Sequence, residues 1–253
     1  MSAPVETCAR LTPQFPAVCH GRVHSVFQRV VNVLMDGQGP ARMLALVSPG
    51  LPALPDSVCL PPGVLQSLSP GQAVVLADGC LRWKGAEFRL VPDVCFTGKL
   101  SPMPGSPCRN AFAACTAIIR CGLHRLPEGL RCRVEQALLE GSWQAYLGLG
   151  GGLTPAFDDA CVGMAAVYTA MGRPLPPLRD LSVTTDVSAR YLQLSQEGYF
   201  GEPVAEVIKA IWSDGADLAA AVEALGRVGA SSGRDMLYGM RLALLGPGGL
   251  SPA

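Results

Sequence analysis

The densest chemistry in this chain lies between Leu147 and Gly163, LGLGGGLTPAFDDACVG, where glycines, a Thr-Pro step and two adjacent aspartates share one short junction. A helix connection ordinarily needs little more than a single Gly or Asn. Gly150, Gly151 and Gly152 let the backbone take positive φ and let a ligand come close to its N–H groups. Thr154, Asp158 and Asp159 supply side-chain oxygens at the start of the helix that follows. Two readings stand side by side: a site where N–H donors meet acidic oxygens, and a mobile loop with a well-furnished helix cap.

The device is echoed near the C-terminus. Asp159-Ala160-Cys161-Val162-Gly163-Met164 and Asp235-Met236-Leu237-Tyr238-Gly239-Met240 both read Asp-x-x-x-Gly-Met, and the loop before the second contributes Ser231, Ser232 and Gly233. An Asp in the first turn and a Gly four residues on share a helix face. The missing side chain leaves room for another helix or for the backbone of the opposite loop. A third hydroxyl-and-acid cluster, Thr184, Thr185, Asp186 and Ser188, marks another helix start.

Three such N-termini converging would aim N–H groups and positive dipole ends at an anion, with Asp159, Asp186 and Asp235 holding a hard cation such as Mg²⁺. On that reading Asp158, Asp159 and Asp235 are the catalytic candidates. The glycines at 150–152 and Thr154, Thr184, Thr185, Ser188, Ser231, Ser232 and Gly233 bind substrate. Each cluster alone reads first as a helix cap; it is the doubled Asp158-Asp159 and the Asp-x-x-x-Gly echo that favour a site. The chain has no G-x-x-x-x-G-K-[ST] phosphate loop.

The elements that must position these residues form two textures, and the fold class expected is α+β. Up to about residue 100 the chain reads as strands and turns. Val23 to Met35 is rich in β-branched residues and is read as one long strand, joined through Asp36-Gly37 and Gln38-Gly39-Pro40 to a second strand at Met43 to Val47. Ser57 to Leu60, Ala73 to Leu76, Leu81 to Lys84 and Glu87 to Val91 continue at strand-like spacing between Pro-Gly and Asp-Gly turns, which suits a small sheet or barrel. SPMPGSP, between Lys99 and Cys108, accepts neither strand nor helix and marks a boundary. Domains are therefore expected at 1–100 and 108–250.

Beyond the boundary, Ala- and Leu-rich stretches carry helical spacing. Helices are expected at Arg109 to Cys121, Leu130 to Tyr146, Asp158 to Met171, Thr185 to Glu197, Pro203 to Trp212, Leu218 to Val228 and Asp235 to Leu245.

Composition narrows the function classes. Lys+Arg and Asp+Glu are equal at 20 each in 253 residues, so the chain lacks the basic field of a nucleic-acid binder. Mean hydropathy is +0.30, yet no apolar run reaches the roughly 20 residues of a membrane span; the apolar excess calls for packing or a partner subunit, including a second copy of the chain. MSAPVETCARLTPQF lacks the features of a signal peptide, and a cytoplasmic location is expected. The ten cysteines form no C-x-x-C pair and read as reduced, buried thiols. His20 and His24 on one strand lie about 13 Å apart, too far to share an ion. Trp83 and Phe88 read as cross-strand packing.

Leu149-Gly150-Gly151-Gly152-Leu153-Thr154-Pro155-Ala156-Phe157-Asp158-Asp159, followed by Thr184-Thr185-Asp186-Val187-Ser188, Glu197-Gly198-Tyr199-Phe200 and Gly229 to Gly239, resembles the AllH-like family. The family takes its name from a subunit of the bacterial oxamate carbamoyltransferase of allantoin breakdown, and the resemblance includes Gly21 to Phe27 near the N-terminus. It implies a role in carbamoyl transfer between oxalurate and carbamoyl phosphate, in company with two other subunits. The family loop usually reads Gly-Pro-Gly-Leu-Thr-Pro-Ser-Gly-Asp-Asp. Here Gly151 stands for the Pro, Ala156 for the Ser and Phe157 for the second Gly, and Ala230 stands where the later motif usually has His.

The leading expectation is an enzyme subunit that binds a small carboxylate or phosphate, with Mg²⁺, at helix N-termini. Positioning and electrostatic stabilisation carry such a transfer without a nucleophilic side chain. The alternatives are a non-catalytic assembly subunit and a Mg²⁺-dependent hydrolase using Asp158, Asp159, Asp186 and Asp235 to activate water.

Overall fold

A computed structural model describes residues 4–36, 42–117, 119–213 and 217–246. The chain divides into two compact units, residues 1–98 and 99–253. The first is an eight-stranded β-barrel and the second is helical, an α+β chain.

The barrel strands are β1 (Val5–Arg10), β2 (Cys19–Val26), β3 (Val30–Asp36), β4 (Arg42–Val47), β5 (Ser57–Cys59), β6 (Ala73–Ala77), β7 (Cys80–Trp83) and β8 (Ala86–Pro92). Their order around the closed barrel is β1-β5-β4-β3-β2-β6-β7-β8, and β1 pairs parallel with β8 to complete it. Closure leaves no strand edge exposed. Val31, Val33, Leu44, Leu46, Val58 and Leu76 fill the interior at 2% exposure or less, and each buried side chain of this size contributes about 1.5–3 kcal/mol. Trp83 and Phe88 stack with centroids 5.1 Å apart on the β7–β8 hairpin.

The stretch from Val23 to Met35 is not one strand. It is the β2–β3 hairpin, reversing over Gln28 and Arg29 with Phe27 N–H donating to Val30 O at 2.8 Å. Glycine and proline are both missing from that turn, so β-branched residues run up to it from either side and conceal it. The β3–β4 pair is antiparallel as expected; its connecting turn at Gly37 to Pro40 lies outside the described residues.

The helical unit contains, among the described residues, α1 (Arg109–Thr116), α2 (Glu128–Glu140), α3 (Ala156–Ala170), α4 (Asp186–Gln196), α5 (Glu202–Trp212), α6 (Leu218–Gly226) and α7 (Ser232–Leu245). α2 stops earlier than its periodicity suggests because Gly141 takes φ +77° and closes the helix, and Trp143–Tyr146 forms a separate 3-10 turn. The Lys99 to Cys108 stretch is not a free linker. Leu100 N–H donates to Gly198 O at 2.9 Å, Met103 N–H to Ala170 O at 2.8 Å and Cys108 N–H to Ile211 O at 2.7 Å, so it lies along the helical unit.

α3 is the centre of this unit. Thirteen of its 15 residues are buried, the pattern of a helix surrounded by others. Its closest neighbour is α7, and the two Asp-x-x-x-Gly segments face each other. A Cβ at Gly163 would lie 2.6 Å from the carbonyl carbon of Met236, and one at Gly239 would lie 2.7 Å from that of Ala160. Both glycines therefore admit the backbone of the opposite helix. No helix among the described residues is long and apolar enough to cross a membrane.

Candidate functional site

The 148–155 loop ties together the starts of α3, α4 and α7. Gly148 at φ +80° lies against Val183, where a Cβ would sit 2.5 Å from the carbonyl oxygen. Gly150 at φ +131° packs against the first turn of α3. Thr154 Oγ1 and Ser232 Oγ share a hydrogen bond of 2.7 Å, joining this loop to the start of α7. Thr185 Oγ1 donates to Leu153 O at 2.5 Å and accepts from Ser188 N–H at 3.1 Å, so one hydroxyl caps α4 and fastens it to the loop. Gly151 and Gly152 face open space.

The three aspartates of the two motifs have different surroundings. Asp158 is filled: one oxygen accepts from Gly148 N–H at 2.8 Å, and the other accepts from Ser188 Oγ at 2.6 Å and from Thr184 Oγ1. It is a staple between the loop and α4. The hydroxyls of Thr184 and Ser188 are engaged by it, and Gly233 is explained by its packing on the backbone of Leu225.

Asp159 and Asp235 are buried, at 2% and 0% exposure, and each keeps an Oδ2 with no hydrogen-bond partner. Burial pushes the Asp159 carboxyl up to about 8; the hydroxyls of Ser232 and Thr154 oppose the shift, and the charge of Asp235 adds to it. Asp235 is also raised, first by burial, against the pull of the Gly122 N–H and the Ser231 hydroxyl. Gly122 N–H donates to Asp235 Oδ1 at 2.5 Å. Partly buried Tyr191 on α4 is pushed up to about 12 by burial and by the charge of Asp159.

No side-chain oxygen caps α3 or α7. Pro155 is the N-cap of α3, and the helix-cap reading of Asp158 and Asp159 does not hold. The three-aspartate metal set does not form either: Asp186 is exposed at the first position of α4 while Asp159 and Asp235 are buried. Among the described residues no group of three or more His, Cys, Asp or Glu side chains is placed to hold a metal ion.

Sequence reasoning missed Cys121 and Gly122. Cys121 precedes and Gly122 opens the 3-10 turn Gly122–Arg125 (η1), where a Cβ at Gly122 would come within 3.2 Å of both Asp235 oxygens. The only signal was a Cys-Gly step more than a hundred residues from the Asp it serves. Phe157, which replaces a glycine of the usual family loop, is fully buried with its ring centroid 5.7 Å from that of Tyr146. The substitution therefore adds to the core of the helical unit.

Two family models match this chain. Residues 146–244 match the oxamate carbamoyltransferase subunit AllH, and residues 1–93 match the AllH family N-terminal domain. The first spans the loop, both aspartate motifs and the α4 start; the second spans the barrel. No solved structure matches the chain. With both of its units matched in order, the chain belongs to the AllH family of oxamate carbamoyltransferase subunits.

Proposed function

We propose that this chain works as a subunit of a carbamoyltransferase complex and that the junction of α3, α4 and α7 binds the anionic substrate of the transfer. The observation that carries the reading is Asp159, a buried carboxyl with one oxygen lacking a hydrogen-bond partner and a pKa pushed up to about 8. At neutral pH such a group is an O–H donor and not a second negative charge beside Asp235. Together with the exposed N–H groups of the Gly151-Gly152 loop and the positive end of α3, it suits an oxyanion. Oxamate and carbamoyl phosphate both carry one. When the amide nitrogen attacks the carbamoyl carbon, the C–O bond to phosphate breaks and the nitrogen gives its proton to the departing phosphate, while the protonated Asp159 donates to the oxygen on which charge develops.

The test is carbamoyl transfer by the reconstituted complex. Asp159→Ala should fold and assemble yet lose at least about 100-fold in rate, the low end for a removed oxyanion-stabilising donor. Full activity in that variant would refute the reading.

A second reading rests on the two buried Oδ2 atoms of Asp159 and Asp235 that have no hydrogen-bond partner. Mg²⁺ commonly binds through one or two carboxylates and completes its shell with water and phosphate oxygens, and Asp159 with Asp235 fit that donor set. A bound cation would favour the ionised carboxylates, so Mg²⁺ should then stabilise the protein more at pH 8 than at pH 6. Identical melting temperatures with and without Mg²⁺ at both pH values would remove the cation.

A further inference from the structure

On the side of α7 facing α1, a pocket of about 90 Å³ is lined by Thr116, Ile119, His124, Leu237, Tyr238 and Arg241. The donors on its polar wall are those of Arg241 and His124. Arg241 Nη1 donates to Ala113 O at 2.9 Å and Thr116 Oγ1 at 2.8 Å, which fixes the guanidinium plane and leaves its other N–H groups for the pocket. Thr116 Oγ1 in turn donates to Phe112 O at 2.7 Å, so its hydrogen is engaged. His124 Nδ1 accepts from Cys121 N–H at 3.1 Å; the neutral ring therefore carries its proton on Nε2. The ring is held edge-on by Tyr238, with centroids 4.9 Å apart. The Tyr238 hydroxyl is engaged by Glu135, which also pairs with Arg131 at 3.6 Å.

No described Asp or Glu is among the lining residues, and Glu135, which holds the Tyr238 hydroxyl, is paired with Arg131 rather than Arg241. A space of this size holds one small ion with its apolar side against Leu237 and Ile119. A guanidinium fork holds carboxylates and phosphates alike; the small space and its apolar wall of Leu237 and Ile119 favour a small carboxylate, which has an apolar side.

We propose that this pocket is a second binding site, for a small carboxylate, in which the Arg241 guanidinium and the His124 Nε2–H hold its two oxygens. The site goes beyond the anion junction described above and does not depend on it. It is nevertheless linked to that junction through consecutive backbone groups: Cys121 N–H reaches His124, and Gly122 N–H reaches Asp235. A carboxylate that shifts His124 is thereby placed to move the turn that holds Asp235.

Calorimetric titration of the full chain with oxamate, acetate and inorganic phosphate tests the proposal. Oxamate and acetate should bind, and phosphate should bind more weakly. His124→Asn keeps an acceptor for Cys121 N–H but removes the Nε2 donor, and it should weaken oxamate by about tenfold or more. Arg241→Gln should abolish binding; because Arg241 also anchors the end of α1, circular dichroism must show that the variant is folded, and the His124 variant stands as the independent arm. Asp159→Asn, which alters the junction, should still show the carboxylate site that His124→Asn weakens. The proposal is overturned if no carboxylate binds, if phosphate binds the His124-dependent site more tightly, or if the folded His124 variant retains that site at full affinity. It is equally overturned if Asp159→Asn alone abolishes binding, which would place the ligand at the α3–α7 junction and leave the reading of that junction intact.

Discussion

Gly163 and Gly239 stand in a reciprocal relationship: each lies against the backbone of the helix that carries the other, one step beyond its aspartate. Gly163 meets Met236, which follows Asp235, and Gly239 meets Ala160, which follows Asp159. The repeated Asp-x-x-x-Gly is thus a two-sided packing device that brings two buried carboxyls together. A methyl group at either position meets backbone atoms, which cannot rotate away. Gly163→Ala and Gly239→Ala should each destabilise by about 3 kcal/mol or more, the upper end of overpacking, as read from urea denaturation. A loss below about 0.5 kcal/mol, the range of an ordinary surface change, would mean that the helices do not approach this closely.

Asp158 should behave as a structural residue. Asp158→Ala leaves the hydroxyls of Thr184 and Ser188 and the N–H of Gly148 without their acceptor. Buried unsatisfied groups cost about 1–3 kcal/mol each, so thermal unfolding should show a large drop in stability. An unchanged melting temperature would show that water replaces the carboxylate.

Stability should fall as pH rises from about 4 to about 8. Asp159 titrates at about 8 in the folded chain and near 3.9 when unfolded, so between those values the native state holds a proton that the unfolded state has released. The stabilisation is complete below the unfolded pKa and is lost as pH climbs through the folded one. The raised carboxyl of Asp235 acts in the same direction. Asp159→Asn mimics the protonated form, and denaturation across this range should show a shallower slope and a gain over the parent at the alkaline end. An equally steep slope in the variant would assign the effect to other groups.

Neighbouring glycines of the loop should separate scaffold from binding surface. Gly150→Ala forces a side chain into φ +131° against Ala156, whereas a Cβ at Gly151 meets nothing within 4 Å. Gly150→Ala should therefore lower stability by about 1 kcal/mol or more. Gly151→Ala should leave stability within about 0.5 kcal/mol while weakening an anion bound at the loop. If phosphate and oxamate bind the Gly151 variant unchanged at that junction, the loop does not contact the ligand.

Local sequence determined a good deal. Periodicity and turn chemistry place most strands and all seven described helices, because hydrophobic spacing of two or of 3.6 is a property of neighbours along the chain. The doubled aspartates and the Asp-x-x-x-Gly echo mark the residues where α3 and α7 meet, since Gly and Asp are unusual in helix interiors. Tertiary structure decided what those residues do. β1 escapes notice because it becomes a strand only by closing the barrel between β5 and β8. Asp158 and Asp159 are adjacent in sequence and chemically identical. One faces three donors supplied by Gly148, Thr184 and Ser188 and is filled; the other feels the charge of Asp235, 76 positions along the chain, and keeps a buried oxygen without a partner. Asp186 has the same type and the same first-turn setting, yet it faces solvent. A carboxyl's role follows from its desolvation and from the charges and donors around it, and those are set by which segments meet in space, on which one-dimensional spacing is silent.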